Sequence, residues 1–337
     1  MSYEVLGVTV LWTFLYGYLI VASIDFGAGF FNYYASATGK GHVVQKVINR
    51  YLSPVWEVTN VFLIFFYVGL IGFFPNVSYY YGTALLVPGS IAVILIAIRG
   101  SYYAFHHYGH KERHRYQLLY GATGLLIPAS LSTVLTISEG GYIEINGSEL
   151  SLNYGTLFTS SYSWAVVFLA IVSVLYISAC FLTFYAHKAG DNGAYTVLRK
   201  YALFWSGPTI LASFLVFWAM YVHNRVHFEK MLDAGWLFGL SILFFLGAVY
   251  LIWKKKRPGI SFILVMLQFA AAFYGYGSAH LPYLLYPHLT IYDSFTNETM
   301  ALTLIGSFIA GFCLLVPSLY LLMKLFLFNN EYVQGKK

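Results

Sequence analysis

The sequence predicts an all-α polytopic membrane protein: a single integral-membrane domain over residues 1–337, about nine transmembrane helices in a bundle. Three observations carry this. Apolar stretches long enough to cross about 30 Å of hydrocarbon as a helix, roughly 20 residues each, recur along the chain. Charge is scarce, with 9% of residues charged and 59% hydrophobic, where a soluble domain carries roughly 25% charged residues; the mean hydropathy is +0.68. Basic residues gather in alternate connections. Lipid offers backbone groups no water, and no ten-residue alternating pattern suggests a barrel, so helices are the spanning element.

The spans fall at about 5–35, 54–75, 80–107, 116–138, 160–187, 199–222, 234–253, 259–285 and 297–328. The first follows Met1, Ser2, Tyr3 and Glu4 with no basic leader or small-residue cleavage site, and is expected to be retained. Connections one, three and five hold Lys40, Lys46 and Arg50, then Lys111, Arg113 and Arg115, then Lys188, Arg199 and Lys200; those between have no Lys or Arg. Excess Lys and Arg marks the cytoplasmic side. The run Lys254 to Arg257 before Pro258 and the tail Lys336 and Lys337 continue the alternation, while Arg225 and Lys230 lie in the single basic outer loop. Nine spans place the N-terminus outside and the C-terminus in the cytoplasm. The larger outer loops, near 139–159 and 286–297, are too small for an enzyme domain.

The 31 Tyr and 7 Trp suit water–lipid boundaries, where a ring with a polar tip is best solvated. A net charge of +6 is explained by positive loops, and no nucleic-acid partner is expected. Cys180 and Cys313 both lie in apolar spans and read as packing groups rather than a disulfide framework.

Four polar residues interrupt the first three spans at one expected depth: Asp25, Glu57, Asn60 and Arg99. An ionisable side chain in hydrocarbon costs about 2.5 kcal/mol or more, so it persists where it is partnered or used. Asp25 lies some 30 Å along the first helix at about 1.5 Å per residue. Glu57 and Asn60, three apart, share a helix face near the inner start of the second span, and Arg99 sits near the inner end of the third. Gly27 and Gly29 remove bulk beside Asp25, so that a neighbouring helix or a bulky cofactor can approach. Two readings follow: an Asp–Arg pair locking three helices, or carboxylates that relay protons.

At these residues the chain resembles subunit II of the cytochrome bd-type quinol oxidases. The match runs through Glu4-Val-Leu-Gly, Asp25-Phe-Gly-Ala-Gly29, Pro54-Val-Trp56-Glu57-Val-Thr-Asn60-Val-Phe and Ile98-Arg99-Gly100, in order and spacing, over roughly the first hundred residues. One departure is Glu57-Val-Thr-Asn60, where family members often carry Asp-Gly-Asn-Gln; the acid survives with a reach one methylene longer. The resemblance implies a bacterial or archaeal cytoplasmic membrane and a heterodimer. Its larger partner, subunit I, would hold haems b and d and the quinol-binding loop, and a small single-helix subunit can join them. It implies a quinol:O2 oxidoreductase in which this chain supports subunit I and offers protons a path through Glu57 and Asp25. Arg99, with Asn60, would pair Asp25 or a haem propionate, while Gly27, Gly29 and Trp56 would permit close approach of partner or cofactor.

The histidines agree with that division of labour. His42, His106, His107, His110, His114, His187, His223, His227, His280 and His288 all fall in loops or at span margins, so no haem iron is expected on this chain. His106, His110 and His114 have helical spacing, but Lys111, Arg113 and Arg115 oppose a bound cation and favour anionic lipid; no metal is expected. Gly235 and Gly239 form a GxxxG expected to serve helix packing. His280, Asp293 and Glu298 are expected to form a solvated outer rim, or else a proton exit. Phosphate loops, nucleophile elbows and paired cysteine motifs are absent. The rival class is a secondary transporter with a buried Asp/Glu/Arg site. Such folds usually repeat their halves, and 160–328 holds no second copy of the pattern.

Overall fold

The computed structural model describes residues 2–106, 113–146, 149–293, 295–327 and 329; of these, the side chains at 42, 49–58, 102–106, 113–115, 145–146, 149–150 and 326–327 lie outside the description. Helices dominate: α1 (Tyr3–Ala37), α2 (Gly41–Phe73), α3 (Pro75–Ala84), α4 (Leu86–His106), α5 (Arg113–Leu131) and α6 (Thr133–Ser138) precede a two-stranded hairpin, β1 (Ile143–Asn146) and β2 (Glu149–Leu152). After it come α7 (Tyr154–Thr159), α8 (Ser161–Lys188), α9 (Asn192–His223), α10 (Arg225–Asp233), α11 (Gly235–Trp253) and α12 (Pro258–His280). A second hairpin, β3 (Tyr283–Leu285) and β4 (Leu289–Thr290), leads to α13 (Glu298–Leu322) and a π turn, Met323–Leu327. Both hairpins are antiparallel, with Ile143 opposite Leu152 and Tyr283 opposite Thr290.

The all-α membrane class holds. Among the described residues seven helices are long and apolar enough to span, or eight if the bent pair α3 and α4 counts as one. The remaining expected span falls on α2, whose described apolar part is Thr59–Phe73. The third span is not the straight helix expected at 80–107: the axis turns by 81° between α3 and α4. Pro88 is the physical cause, because it has no N–H for the carbonyl of Ala84 and its ring would strike that carbonyl in a continuous helix. The eighth expected span also ends early, at His280 rather than 285. Leu281 precedes Pro282, which forces it into an extended conformation, ψ 146°.

Two helices form the centre. In α1 every residue from Ala22 to Gly29 is buried, and in α8 every residue from Val172 to Thr183. A helix apolar on all sides needs neighbours on all sides; α1 packs on α2, α5 and α8, and α8 on α9 and α12. Two apolar clusters result. One joins Ile24, Ala28 and Phe31 to Leu175, Ala179, Ala248 and Val265. The other gathers Leu11, Phe14, Phe73, Phe74 and Phe308 around the first half of α1.

The outer helices keep broad apolar faces open. In α8 67% of the most apolar window is buried, but only 17% in α11 and in α13, so those two present their side chains outward. Trp218, Trp236 and Leu314 are each at least 70% exposed. The GxxxG of α11 is part of this outer face: a Cβ added at Gly235 or Gly239 meets nothing within 4 Å, so the expected packing is not made within this chain. Gly275 of α12 supplies the close contact instead, with the Phe238 ring 3.2 Å from an added Cβ.

Candidate functional site

The buried ion pair expected from the first three spans is formed. Asp25 and Arg99 are each 2% exposed. Arg99 Nε donates to Asp25 Oδ2 at 3.0 Å and Nη2 donates to the Asp25 carbonyl at 2.7 Å. Nη1 donates to the Tyr120 carbonyl at 2.9 Å, and the Tyr120 hydroxyl donates to Asp25 Oδ1 at 3.0 Å. The guanidinium also lies over the Tyr120 ring, 3.8 Å from its centroid, with Phe26 beyond at 5.2 Å. One side chain on α4 thus joins α1 to α5. A planar fork with five donors suits this task, whereas an ammonium could not hold a carboxylate and two carbonyls in these directions.

Close packing makes the pair possible. A Cβ at Gly29 would sit 2.8 Å from the Tyr120 ring and 3.0 Å from Arg99 Nη1. At Gly27 it would overlap Ser178, whose hydroxyl donates to the Ile24 carbonyl at 2.9 Å. Gly124 of α5 performs the reciprocal service, because a Cβ there would overlap the Phe26 carbonyl. The space beside Gly27 and Gly29 is therefore filled by this chain's own α8, α5 and α4. Asn60 is half-buried on α2, and among the described residues it makes no hydrogen bond to Asp25 or Arg99. The side chains of Trp56 and Glu57 lie outside the described residues, as do those of His106 and the histidines at 107, 110 and 114.

A second buried ionic centre was not legible beforehand. Glu139, at the end of α6, is 2% exposed and receives His227 of α10, with Nδ1 at 2.8 and 2.7 Å from its two oxygens. His280 Nδ1 is 3.3 Å from Oε1. The Tyr276 hydroxyl donates to Oε1 and Asn224 Nδ2 donates to Oε2 at 3.1 Å. Burial by itself raises the Glu139 carboxyl, but the hydrogen bonds and charge of His227 and His280 outweigh it and hold the group well below the usual carboxylate range. These partners are 88 and 137 residues away in sequence for His227 and Tyr276, and no local motif groups them.

The expected rim is corrected accordingly. His280 is 10% exposed and belongs to the buried centre, because α12 stops there and turns the ring inward onto Glu139. Asp293 is exposed and closes the second hairpin, accepting from the Thr290 N–H at 3.0 Å and hydroxyl at 2.6 Å. Glu298 is exposed in the first turn of α13. The two ionic centres lie at different levels. Trp12 of α1 stacks on Tyr276, 6.4 Å between rings, whereas Asp25 lies thirteen residues farther along the same helix, about 20 Å at 1.5 Å per residue.

Comparison with known proteins agrees with this architecture. The family model described as cytochrome bd terminal oxidase subunit II matches residues 3–326. A Bacillus subtilis (strain 168) protein named as a cytochrome bd menaquinol oxidase subunit II is 32% identical over 341 residues, covering 98% of each chain. A chain in the solved structure of bd oxidase from Geobacillus thermodenitrificans is 59% identical, with a TM-score of 0.85, over 98% of this chain and all of that one. With a family model matched over nearly its whole length, and a fold superposing on a solved bd oxidase chain, the protein belongs to the cytochrome bd terminal oxidase subunit II family.

Proposed function

We propose that this chain is the non-haem-ligating subunit of a quinol:O2 oxidoreductase. It folds and retains a haem-bearing subunit I in the bacterial cytoplasmic membrane, N-terminus outside, and contributes part of a cytoplasmic proton path through Glu57 and Asp25. The observation that carries this reading is where the interior polar groups are spent. Arg99 is committed to Asp25, and His227 and His280 to Glu139, while the apolar faces of α11 and α13 remain open outward. Such a chain offers its neighbours packing surface, with haems b and d and the quinol held by the partner.

Oxygen reduction consumes protons, and a dry bundle passes them through titratable side chains and water. Asp25 is the carboxylate farthest along α1, and Arg99 holds it at 3.0 Å. The relatives named above lend the secondary-transporter alternative no support. The test is separate and joint expression. This chain alone should yield no stoichiometric haem spectrum, and the partner should retain its haems only when co-expressed with it. A full haem complement on the isolated chain would overturn the division of labour.

A further inference from the structure

We propose that Glu139, His227 and His280 form a binding site for one divalent transition cation of the zinc class, clamping the ends of α6, α10 and α12 together. These three side chains each offer one ligand atom within 4.8 Å of the others, and all are buried. His280 Nδ1 stands 3.3 Å from the carboxylate, the edge length of a coordination tetrahedron with bonds of about 2.0–2.1 Å, roughly 3.3 Å. His227 Nδ1, now at the hydrogen-bond distance of 2.7 Å, has to draw back by about 0.6 Å to admit an ion. Two imidazoles and a carboxylate are borderline nitrogen and oxygen donors. That set suits zinc rather than calcium or magnesium, which take oxygen shells, or copper(I), which takes sulfur.

The surrounding groups suit the same site. The two rings are 5.0 Å apart, and both Nδ1 atoms face the carboxylate. A single divalent ion between the two Nδ1 atoms and the carboxylate joins all three groups. Nε2 of His227 and Nε2 of His280 are buried with no hydrogen-bond partner. Nδ1 ligation fixes the hydrogen on Nε2, and a small cavity bordered by both rings, Asn224 and Tyr283 gives that hydrogen a place for water. The carboxylate is already oriented from outside, by the Tyr276 hydroxyl and by Asn224, whose Oδ1 also accepts from the His227 N–H at 3.1 Å. Metal-ligating groups require such outer support. Lys230, which also borders that cavity, is turned to the Leu281 carbonyl at 2.9 Å and to the Tyr283 ring.

The intact complex, purified with its partner subunits and loaded with zinc chloride before desalting, tests the proposal. Metal analysis normalised to haem iron should find one tightly held zinc per complex. The zinc K-edge spectrum should show two imidazoles within a four-ligand nitrogen and oxygen shell near 2.0 Å. His227→Gln and Glu139→Gln should each lose that zinc. Should those variants fail to assemble, His280→Cys keeps a zinc ligand and should retain both assembly and metal, with one sulfur appearing near 2.3 Å. A wild-type complex that keeps no zinc, zinc of unchanged stoichiometry in the glutamine variants, or an assembled His280→Cys complex without a zinc–sulfur shell would each overturn the site.

Discussion

Arg99 holds Asp25 by both its side chain and its backbone: Nε reaches Oδ2 at 3.0 Å while Nη2 reaches the carbonyl of the same residue at 2.7 Å. A helix carbonyl that accepts from another helix ties the backbone of α1 itself to α4, and Tyr120 completes the grip from α5. The pair therefore sets the relative position of three helices, beyond neutralising a charge.

Arg99→Leu leaves Asp25 buried without its cation, and loss of one member of a buried pair costs about 3–5 kcal/mol. Assembly yield and haem content of the complex should fall sharply. Arg99→Lys should rescue little, since one ammonium cannot span the Asp25 carboxylate and both carbonyls. Haem-normalised yield after detergent extraction checks both variants; a normal complex from Arg99→Leu would refute the lock.

Tyr120→Phe removes one hydroxyl while leaving the ring under the guanidinium. A hydrogen bond to a charged group contributes about 1.5–3 kcal/mol, so thermal stability should drop less than in Arg99→Leu. The double variant should cost less than the sum of the two, because both act on Asp25. Thermal unfolding of the three variants measures that coupling.

Gly124→Ala drives a methyl into the Phe26 carbonyl, where backbone must move. Overpacking of this kind costs about 1–3 kcal/mol. Gly235→Ala, with nothing within 4 Å in this chain, is the control and should be neutral unless a partner subunit covers α11. Melting temperatures of the complex decide between these outcomes.

Glu57→Gln keeps size but removes a cycling proton, and its complex should assemble with normal haem and lose oxygen consumption or proton uptake per haem in reconstituted vesicles. Asp25→Asn also takes the anion from Arg99 and sets an NH2 donor against either Arg99 Nε or the Tyr120 hydroxyl. Its complex should therefore assemble in lower yield, and turnover per retained haem should fall as well. Glu57→Asp should keep part of the activity, because it keeps a carboxyl group that can cycle a proton, one methylene shorter. Unchanged rates per haem in both amide variants would remove these residues from the path, and an Asp25→Asn complex that turns over normally per retained haem would make Asp25 structural only.

The all-α membrane class and seven long apolar helices were legible because scarcity of charge and runs of twenty apolar residues are local properties, written in consecutive positions. The Asp25–Arg99 pairing was legible for a related reason: a charge in hydrocarbon must find an opposite charge, and the first three spans offered few. Family membership rested on motifs in the first hundred residues, and the matches along the whole chain agree. The bend between α3 and α4 was signalled only by Pro88 inside a run that otherwise read as one span. Tyr120, Gly124 and the Glu139 centre carried no advance signal, because their partners lie far away along the chain and nothing periodic connects them. Only the packing of α6, α10 and α12 at one end of the bundle decided that two marginal histidines and a loop acid would meet. Burial then gave that meeting its force, since a carboxylate removed from water must take its hydrogen bonds and its counter-charge from whatever the fold has placed beside it.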